Sequence, residues 1–467
     1  MFKSKIFREY DIRGVVGEDY RPEFASLLAR AVAEYFRKHR SPGNNRNQYR
    51  FAVGRDCRLS GEDLAPRFMT ALVNEGFEVV DLGVVATPLV YFSTFTEDLD
   101  GAVSITGSHN PAEYNGFKIC FGKSTLHGDQ IQELRKITES LLGQPHSISI
   151  NGCADGNSHS IDIISKYQAD LQKRVTLGKP VKVVIDAGNG TASNVAPELL
   201  RAVGCEVIPL YCELDGRFPN HHPDPTVLEN LVDLQKAVLE HKADLGIAYD
   251  GDSDRIGAVD EKGRPIFGDE LMVLYSREIL SRKPGATIIG EVKCSHRMYQ
   301  DIEKHGGKPV MWKTGHSLIK AKLKEEKAEL AGEMSGHMFF ADRYYGYDDA
   351  IYASLRLIEI VSNSKQPLST LLADLPRSVS TPEIRVDCAD ELKFDIVSQV
   401  RSDLSKTYKT IDVDGVRIET PIGWGLLRAS NTQPVVVMRF EASNDSDLEK
   451  LRLTVESAFE KAKHVVK

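Results

Sequence analysis

The sequence predicts an α/β protein of several domains, three similar α/β domains in series followed by a smaller α+β domain. Three observations carry that expectation. A strand, loop, helix, strand pattern occurs three times with the same punctuation. Each copy then passes through a further apolar strand into a polar loop. The last stretch of chain breaks the pattern and reads as a hairpin, a strand and a terminal helix.

In chain order, Phe7-Arg8-Glu9-Tyr10-Asp11-Ile12-Arg13-Gly14 precedes an amphipathic helix over residues 22–38. Residues 40–50, rich in Asn, Pro, Gly and Arg, read as a solvated loop, with a polar insertion around Asn44. In the first copy Phe51-Ala52-Val53-Gly54 is a strand, Arg55-Asp56 open a polar loop, a helix runs to Gly76, and Glu78-Val79-Val80 follows. The second copy has a strand over 181–185, the loop Asp186-Ala187-Gly188-Asn189-Gly190, a helix to Gly204 and the strand Glu206-Val207-Ile208. In the third, Thr287-Ile288-Ile289 leads through residues 291–295 to a helix ending at Gly306-Gly307, then Pro309-Val310-Met311. Helices commonly stop at glycine. Right-handed crossovers of this kind predict parallel strands between layers of helices.

The further strands are Ala102-Val103-Ser104-Ile105, Leu245-Gly246-Ile247-Ala248 and Glu329-Leu330-Ala331. They lead to Thr106-Gly107-Ser108-His109-Asn110-Pro111, to Asp250-Gly251-Asp252-Ser253-Asp254-Arg255, and to Gly332-Glu333-Met334-Ser335-Gly336-His337. Ligands bind beyond the carboxyl ends of strands in open α/β sheets, so three equivalent loops are expected to share one cleft. The tail, 383–467, carries Ile411-Asp412-Val413-Asp414-Gly415-Val416-Arg417-Ile418, a hairpin pattern with an Asp-Gly turn. Val435-Val436-Val437-Met438 is a strand, and a helix follows Ser443. The expected domains are 1–155, 156–263, 264–377 and 378–467, with linkers at 151–160, just before Gly268 and at 375–382.

Hydrophobic residues at 41% and charged residues at 27% are a soluble globular balance. A net charge of -8 argues against nucleic-acid binding but leaves room for a basic pocket that takes a small anion. No apolar run is long enough to span a bilayer, and Met1-Phe2-Lys3-Ser4-Lys5 lacks an apolar signal core, so no membrane association is expected. Seven scattered cysteines without a C-x-x-C pair read as reduced thiols of a cytoplasmic protein.

The loops carry the chemistry. Gly107 permits a sharp turn, and Pro111 fixes its own φ and extends Asn110. The loop then presents the Ser108 hydroxyl beside His109, a candidate nucleophile, though the same residues also serve as plain turn formers. Asp250, Asp252 and Asp254 alternate, so in an extended loop their side chains project to one side. Their repulsion is relieved by a hard cation, and Mg²⁺ favours carboxylate oxygens plus a substrate phosphate. A solvated acidic turn is the alternative. An EF-hand is disfavoured because no Glu stands at the twelfth loop position. Glu333, Ser335 and His337 alternate as well. The first two suit sugar hydroxyls, and His337 suits a phosphate or a moving proton, with a Gly-flanked polar turn as the equal alternative. Arg428-Ala429-Ser430-Asn431-Thr432 offers a guanidinium, hydroxyls and an amide to a phosphate. Lys118 and His316, taken alone, read as surface or capping residues.

Together these motifs resemble those of the α-D-phosphohexomutase family. Residues 106–111 resemble its phosphoserine loop, 250–255 its metal loop, 332–337 its sugar-binding loop and 428–432 its phosphate-binding loop, and the resemblance extends from Tyr10 to the final domain. It implies four domains around a central cleft, three of them α/β with mixed sheets, which tempers the all-parallel expectation. It implies that Ser108 carries a phosphoryl group and that Mg²⁺ sits among that phosphate, Asp250, Asp252 and Asp254. It implies that Tyr10, Arg13, Lys118, Arg255, Lys293, His316 and His337 line the reaction centre or hold substrate. Arg13, Lys118 and His337 are the catalytic candidates beside Ser108. Glu333 and Ser335 would grip sugar O3 and O4, while Arg428, Ser430, Asn431 and Thr432 hold the phosphate that is not reacting. The implied reaction moves a phosphoryl group between C1 and C6 of mannose and glucose phosphates through a hexose 1,6-bisphosphate, in a monomer. Phosphoglucosamine mutase is the alternative within the family, and Met334 weighs against it. A serine-dependent phosphatase and a non-catalytic sugar-phosphate sensor are the rivals outside it.

Overall fold

Three of the four β-sheets share one construction, seen in a computed structural model that describes residues 1–39, 48–143, 157–431 and 433–466. The insertion around Asn44, residues 151–156 of the expected linker, and Thr432 lie outside the described residues. In the first sheet Arg50–Arg55 runs parallel to Glu78–Val84 and Gly101–Ile105, and Tyr114–Phe121 returns antiparallel to the latter. In the second, Lys182–Asp186 lies parallel between Glu206–Leu210 and Leu245–Tyr249, and Ile256–Asp260 returns. In the third, Thr287–Glu291 lies parallel between Lys308–Trp312 and Leu330–Gly332, and Met338–Phe340 returns.

The sheets are therefore mixed, and the all-parallel pattern read from the repeat is corrected by one strand in each. The cause is the connection. A parallel neighbour needs a long crossover, whereas a short loop joins antiparallel neighbours. Each motif loop in the first three sheets is thus a hairpin connection at the carboxyl end of the third parallel strand.

The crossover helices Gly61–Asn74, Ala196–Ala202 and His296–Lys304 end just before Gly76, Gly204 and Gly306, where the sequence places their stops. The helix Phe24–Lys38 packs an apolar face on the first sheet. The helix Thr87–Thr96, which the repeat pattern does not mark, is apolar nearly all round and correspondingly buried. It joins one core cluster that runs through all three sheets, from Ala52 through Val183 to Ile288, while the opposite face of each sheet packs its own cluster. Each fully buried Val, Leu or Ile contributes about 1.5–3 kcal/mol, so the seams between these units are core rather than loose contact.

The fourth sheet is antiparallel, with Lys409–Ile411, Val416–Thr420, Gly423–Ala429 and Val435–Ala442 in succession. The helices Lys393–Leu404 and Asp445–Val465 pack against it. The Asp414-Gly415 turn falls between the first two strands, as its sequence pattern predicts. Two stretches read as linkers are edge strands: Ser158–Ser160 pairs with Glu78–Val84, and Val379–Ser380 with Val435–Ala442. Segments of two or three residues are too short to show a period. Among the described residues no helix is long and apolar enough to cross a membrane, and the cysteines are free thiols.

The second and third sheets meet through an isolated bridge between Arg255 and His337, with the Ile256 N–H donating to the Gly336 carbonyl at 3.0 Å. Gly336 has a φ of 90°, and a Cβ there would press on the Ile256 carbonyl. Gly336→Ala should cost about 1–3 kcal/mol from the left-handed backbone alone. The shift should be read from the denaturant midpoint; an unchanged midpoint would show that this seam does not limit stability.

Candidate active site

Ser108 sits at the end of Gly101–Ile105, 1% exposed, with a φ of 51°. Its hydroxyl donates to Asp250 Oδ2 at 3.0 Å, across the seam between the first and second units, and lies 3.2 Å from His109 Nδ1. With its own proton committed to Asp250, the serine oxygen accepts from His109, which places the imidazole proton on Nδ1. Burial, then Arg255 and Arg13, push His109 well below the ordinary imidazole range and keep it neutral.

Asp250, Asp252 and Asp254 are fully buried. Asp250 Oδ1 accepts from the N–H groups of Asp254 at 3.0 Å and Arg255 at 3.1 Å. Asp252 Oδ2 accepts from Thr87 Oγ1 and Lys118 Nζ, each at 2.7 Å, and Lys118 also donates to Asp254 Oδ2 at 2.5 Å. Lys118 comes from the return strand of the first sheet, opposite Ser104. Burial pushes Asp250 well above the usual carboxylate range, and the charges of Asp254 and Asp252 push it further. Burial acts on Asp252 in the same sense, but Lys118 and Thr87 outweigh it and hold the group low. Burial opposes the Lys118 charge, and Asp252 and Asp254 more than offset it, so the ammonium persists. Lys118 is thus a buried ion-pair partner, not the surface residue its isolated position suggests.

This donor set fits a hard divalent cation. One oxygen from each carboxylate lies within 4.8 Å of the others. Asp252 Oδ1 and Asp254 Oδ1 are buried without hydrogen-bond partners, an arrangement that a metal would satisfy. Asp254, His337 and Asp348 also lie within ligand range of one another. Arg255 Nε, however, donates to His337 Nε2 at 2.9 Å. The His337 proton therefore resides on Nδ1, which faces Asp348 Oδ2 at 3.2 Å and Asp254 Oδ1 at 3.6 Å, and a metal there would need that nitrogen bare. His316 stacks on His337 with centroids 5.7 Å apart, and burial, then Lys320, hold it well below the ordinary imidazole range.

The sugar-loop residues lie further along the same path. Glu333 accepts from the Gly315 N–H at 2.6 Å and from Ser335 Oγ at 3.1 Å. Behind it, Glu291 accepts from Thr314 Oγ1 at 2.5 Å and the Met334 N–H at 3.0 Å. Lys293 lies 3.0 Å from Glu383 and 3.5 Å from Glu291. Arg428 Nε donates to Asp414 Oδ2 at 3.0 Å, and the same oxygen accepts from the Thr314 N–H at 3.0 Å. Asn431 donates to the Tyr10 hydroxyl, which donates to the Thr314 carbonyl, both at 2.7 Å. Ser430 Oγ accepts from the Gln433 N–H at 3.1 Å, and Arg13 donates to Asn110 at 2.8 Å while pairing with Asp11.

The described residues singled out from the sequence join one path of contacts, Ser430 through the loop it shares with Asn431; Thr432 lies outside the described residues. Sequence reasoning missed Glu291, Asp348 and Asp414 as partners in the site. The first and third are visible only as Glu closing a strand and Asp in a hairpin turn, and Asp348 carries no motif.

Three mixed α/β units and an antiparallel fourth, each sending a polar loop to one shared site, define the four-domain architecture of sugar-phosphate mutases. Four family models match in order, described as phosphoglucomutase/phosphomannomutase alpha/beta/alpha domains I, II and III and the C-terminal domain, over residues 4–142, 162–263, 267–379 and 383–458. A phosphomannomutase/phosphoglucomutase of Pseudomonas aeruginosa is 45% identical over 96% of this chain and 94% of its own. A probable phosphoglucosamine mutase of Methanopyrus kandleri is 35% identical over 96% of each. A crystal structure of a phosphoglucomutase/phosphomannomutase family protein from Burkholderia thailandensis superposes with a TM-score of 0.90 at 40% identity, over 100% of this chain and 99% of that one. The chain belongs to the phosphoglucomutase/phosphomannomutase family.

Removing Lys118 would leave two buried carboxylates without their cation. Lys118→Met should cost about 3–5 kcal/mol in chelator-treated protein. A divalent cation binding the folded state should recover part of that loss by mass action. Denaturant midpoints with and without the cation test both halves, and an unchanged midpoint in chelator would contradict the pairing.

Proposed function

We propose that the chain interconverts the 1- and 6-phosphates of hexoses, mannose and glucose alike, by passing a phosphoryl group through Ser108. One observation carries the reading: a buried serine hydroxyl at a strand end is hydrogen-bonded across the seam between two units to the first of three buried carboxylates.

In the proposed cycle the P–O bond to Ser108 breaks as one forms to the free C6 or C1 hydroxyl, giving a hexose 1,6-bisphosphate. The sugar turns over, and its other phosphoryl group returns to Ser108. Such transfers depend on positioning and charge neutralisation. Asp250, Asp252, Asp254 and the Ser108 phosphate would hold Mg²⁺, which when bound neutralises charge on the transferring group. Lys118 and Arg13 stand ready as further positive charge. Because Lys118 is held protonated, a proton leaving the sugar hydroxyl is better suited to an imidazole, and His337 Nε2 would take it once Arg255, whose Nε–H it accepts here, turns to the substrate. The proton of Ser108 is aimed at Asp250 for the return step.

Glu333 and Ser335 take sugar O3 and O4. Arg428, Ser430, Asn431 and Thr432 take the idle phosphate, and Tyr10, Arg255, Lys293 and His316 line the space between. Flipping the sugar leaves O3 and O4 roughly in place, so a grip on those atoms serves both orientations. The same grip ignores O2, where mannose and glucose differ. Because all these groups come from one chain, a monomer suffices. The free thiols fit a reducing cytoplasm.

Ser108→Ala should lower turnover by orders of magnitude with circular dichroism unchanged, and intact-mass analysis should show loss of one labile phosphate. Near-normal turnover would remove Ser108 from the mechanism. Mannose 1-phosphate and glucose 1-phosphate should both turn over in a coupled assay with little release of inorganic phosphate. Rejection of mannose 1-phosphate, or a preference for glucosamine phosphate, would contradict the specificity. Steady phosphate release would favour a phosphatase.

A further inference from the structure

Arg58 lies on no motif discussed above, yet it is fully buried directly beneath the Ser108 loop. All five of its side-chain N–H donors are engaged. Nε donates to Asp56 Oδ2 at 3.0 Å. One terminal nitrogen donates to the carbonyls of Ser108 at 2.8 Å and Asn110 at 2.5 Å, and the other to those of Tyr114 at 3.1 Å and Pro111. The planar fork of a guanidinium reaches four carbonyls of one loop, which the point charge of an ammonium cannot do.

Asp56 collects the donors of the same loop. Its Oδ2 also accepts from Thr106 Oγ1 at 2.8 Å and the Gly107 N–H at 3.1 Å, and Thr106 Oγ1 accepts from the Ser108 N–H at 2.8 Å. Both peptide groups of Ser108 are thereby tied, its N–H through Thr106 to Asp56 and its carbonyl to Arg58. A non-glycine residue at a φ of 51° persists only where its surroundings over-determine it. The side-chain direction follows from the backbone so fixed. The need for glycine at 107 has the same origin. A Cβ there would meet Arg58 Cζ and Nε at 2.5 Å, and the positive φ belongs to Ser108 rather than to Gly107. From the second unit, the ring of Phe218 covers the guanidinium at 5.0 Å.

We propose that Arg58, oriented by Asp56, is a positioning residue that sets the direction of Ser108 Oγ for phosphoryl transfer. The proposal rests on Ser108 being the phosphoryl carrier. A displacement of about 1 Å at the reacting atom costs about 10²-fold in rate, while groups that hold the sugar elsewhere are untouched.

The test uses Arg58→Lys and Gly107→Ala in the full chain, the second keeping every donor and acceptor while pushing on the guanidinium. Steady-state kinetics with glucose 1-phosphate are normalised to phosphoserine content from intact mass and to folded fraction from the unfolding transition. The expected result in both variants is a fall of about 10²-fold in kcat per phosphorylated, folded molecule, with KM nearly unchanged. A purely structural role would lower the folded fraction and leave that normalised kcat alone, and this result overturns the proposal. Should Arg58→Lys not fold, Gly107→Ala decides; collapse of both would assign the pair to stability and overturn it too. A parent enzyme without phosphate on Ser108 would instead sink the underlying reading of the serine.

Discussion

Three carboxylates with no solvent exposure, their nearest oxygens within 4.8 Å of one another, are the constraint that the rest of the molecule answers. At 4 Å and an effective dielectric of 20, each pair of unit charges repels by about 4 kcal/mol. A loop carrying Asp250, Asp252 and Asp254 cannot stay buried unless positive charge is brought to it. The second unit supplies Arg255 within the loop, but Lys118 comes from the first. The two units must therefore dock to neutralise the loop, and the Ser108 hydroxyl enters with Lys118 from the same side. Arg255 carries the chain of contacts into the third unit through His337. The core cluster that runs unbroken through all three sheets is the apolar counterpart of this electrostatic requirement.

The return strand of each sheet converts a repeat into a site. An ordinary crossover would lead each loop into a helix. The antiparallel return instead makes the loop a hairpin whose two ends are both pinned by strand hydrogen bonds. In the first unit the return strand also delivers Lys118, placed opposite Ser104 and pointing to the seam. Duplicating such a unit places equivalent loops at equivalent strand ends, and the shared core brings those ends together.

The four motif loops are legible in the sequence because each packs chemically distinctive residues into five or six consecutive positions. Their partners are not, because the contacts are remote. Arg58 and Ser108 are 50 positions apart, and Thr87 and Asp252 are 165. Lys118 gives no sign of burial in isolation; only pairing with a loop of another unit does that. The all-parallel pattern fails at the return strands because a helical crossover and a hairpin both begin with a polar loop after an apolar strand. The glycine at 107 is legible as a requirement, but its cause is a guanidinium from the loop after the neighbouring strand and not a backbone angle. Asp56-x-Arg58, placed at the carboxyl end of a central strand where polar loops gather, is the one signal by which the clamp could have been found.

The charges in the site are arranged in complementary pairs. At the end with the serine, carboxylates hold an ammonium, Lys118. At the far end, cations hold carboxylates: Arg428 with Asp414, and Lys293 with Glu383 and Glu291. A buried charge left alone costs several kcal/mol, so each group suited to an ionic ligand needs a partner of the opposite sign built into the fold. Lys118 holds Oδ2 of Asp252 and of Asp254 and leaves Oδ1 of each without a hydrogen-bond partner, while Arg428 and Lys293 are each matched by a carboxylate. Much of the charge of the site is thus cancelled within the fold itself. Asp414 ties this pairing to the shape of the site. It holds Arg428 with the same oxygen that fixes the Thr314 N–H, next to the carbonyl that anchors Tyr10. The Arg428–Asp414 pair is therefore built into the joint between the first, third and fourth units.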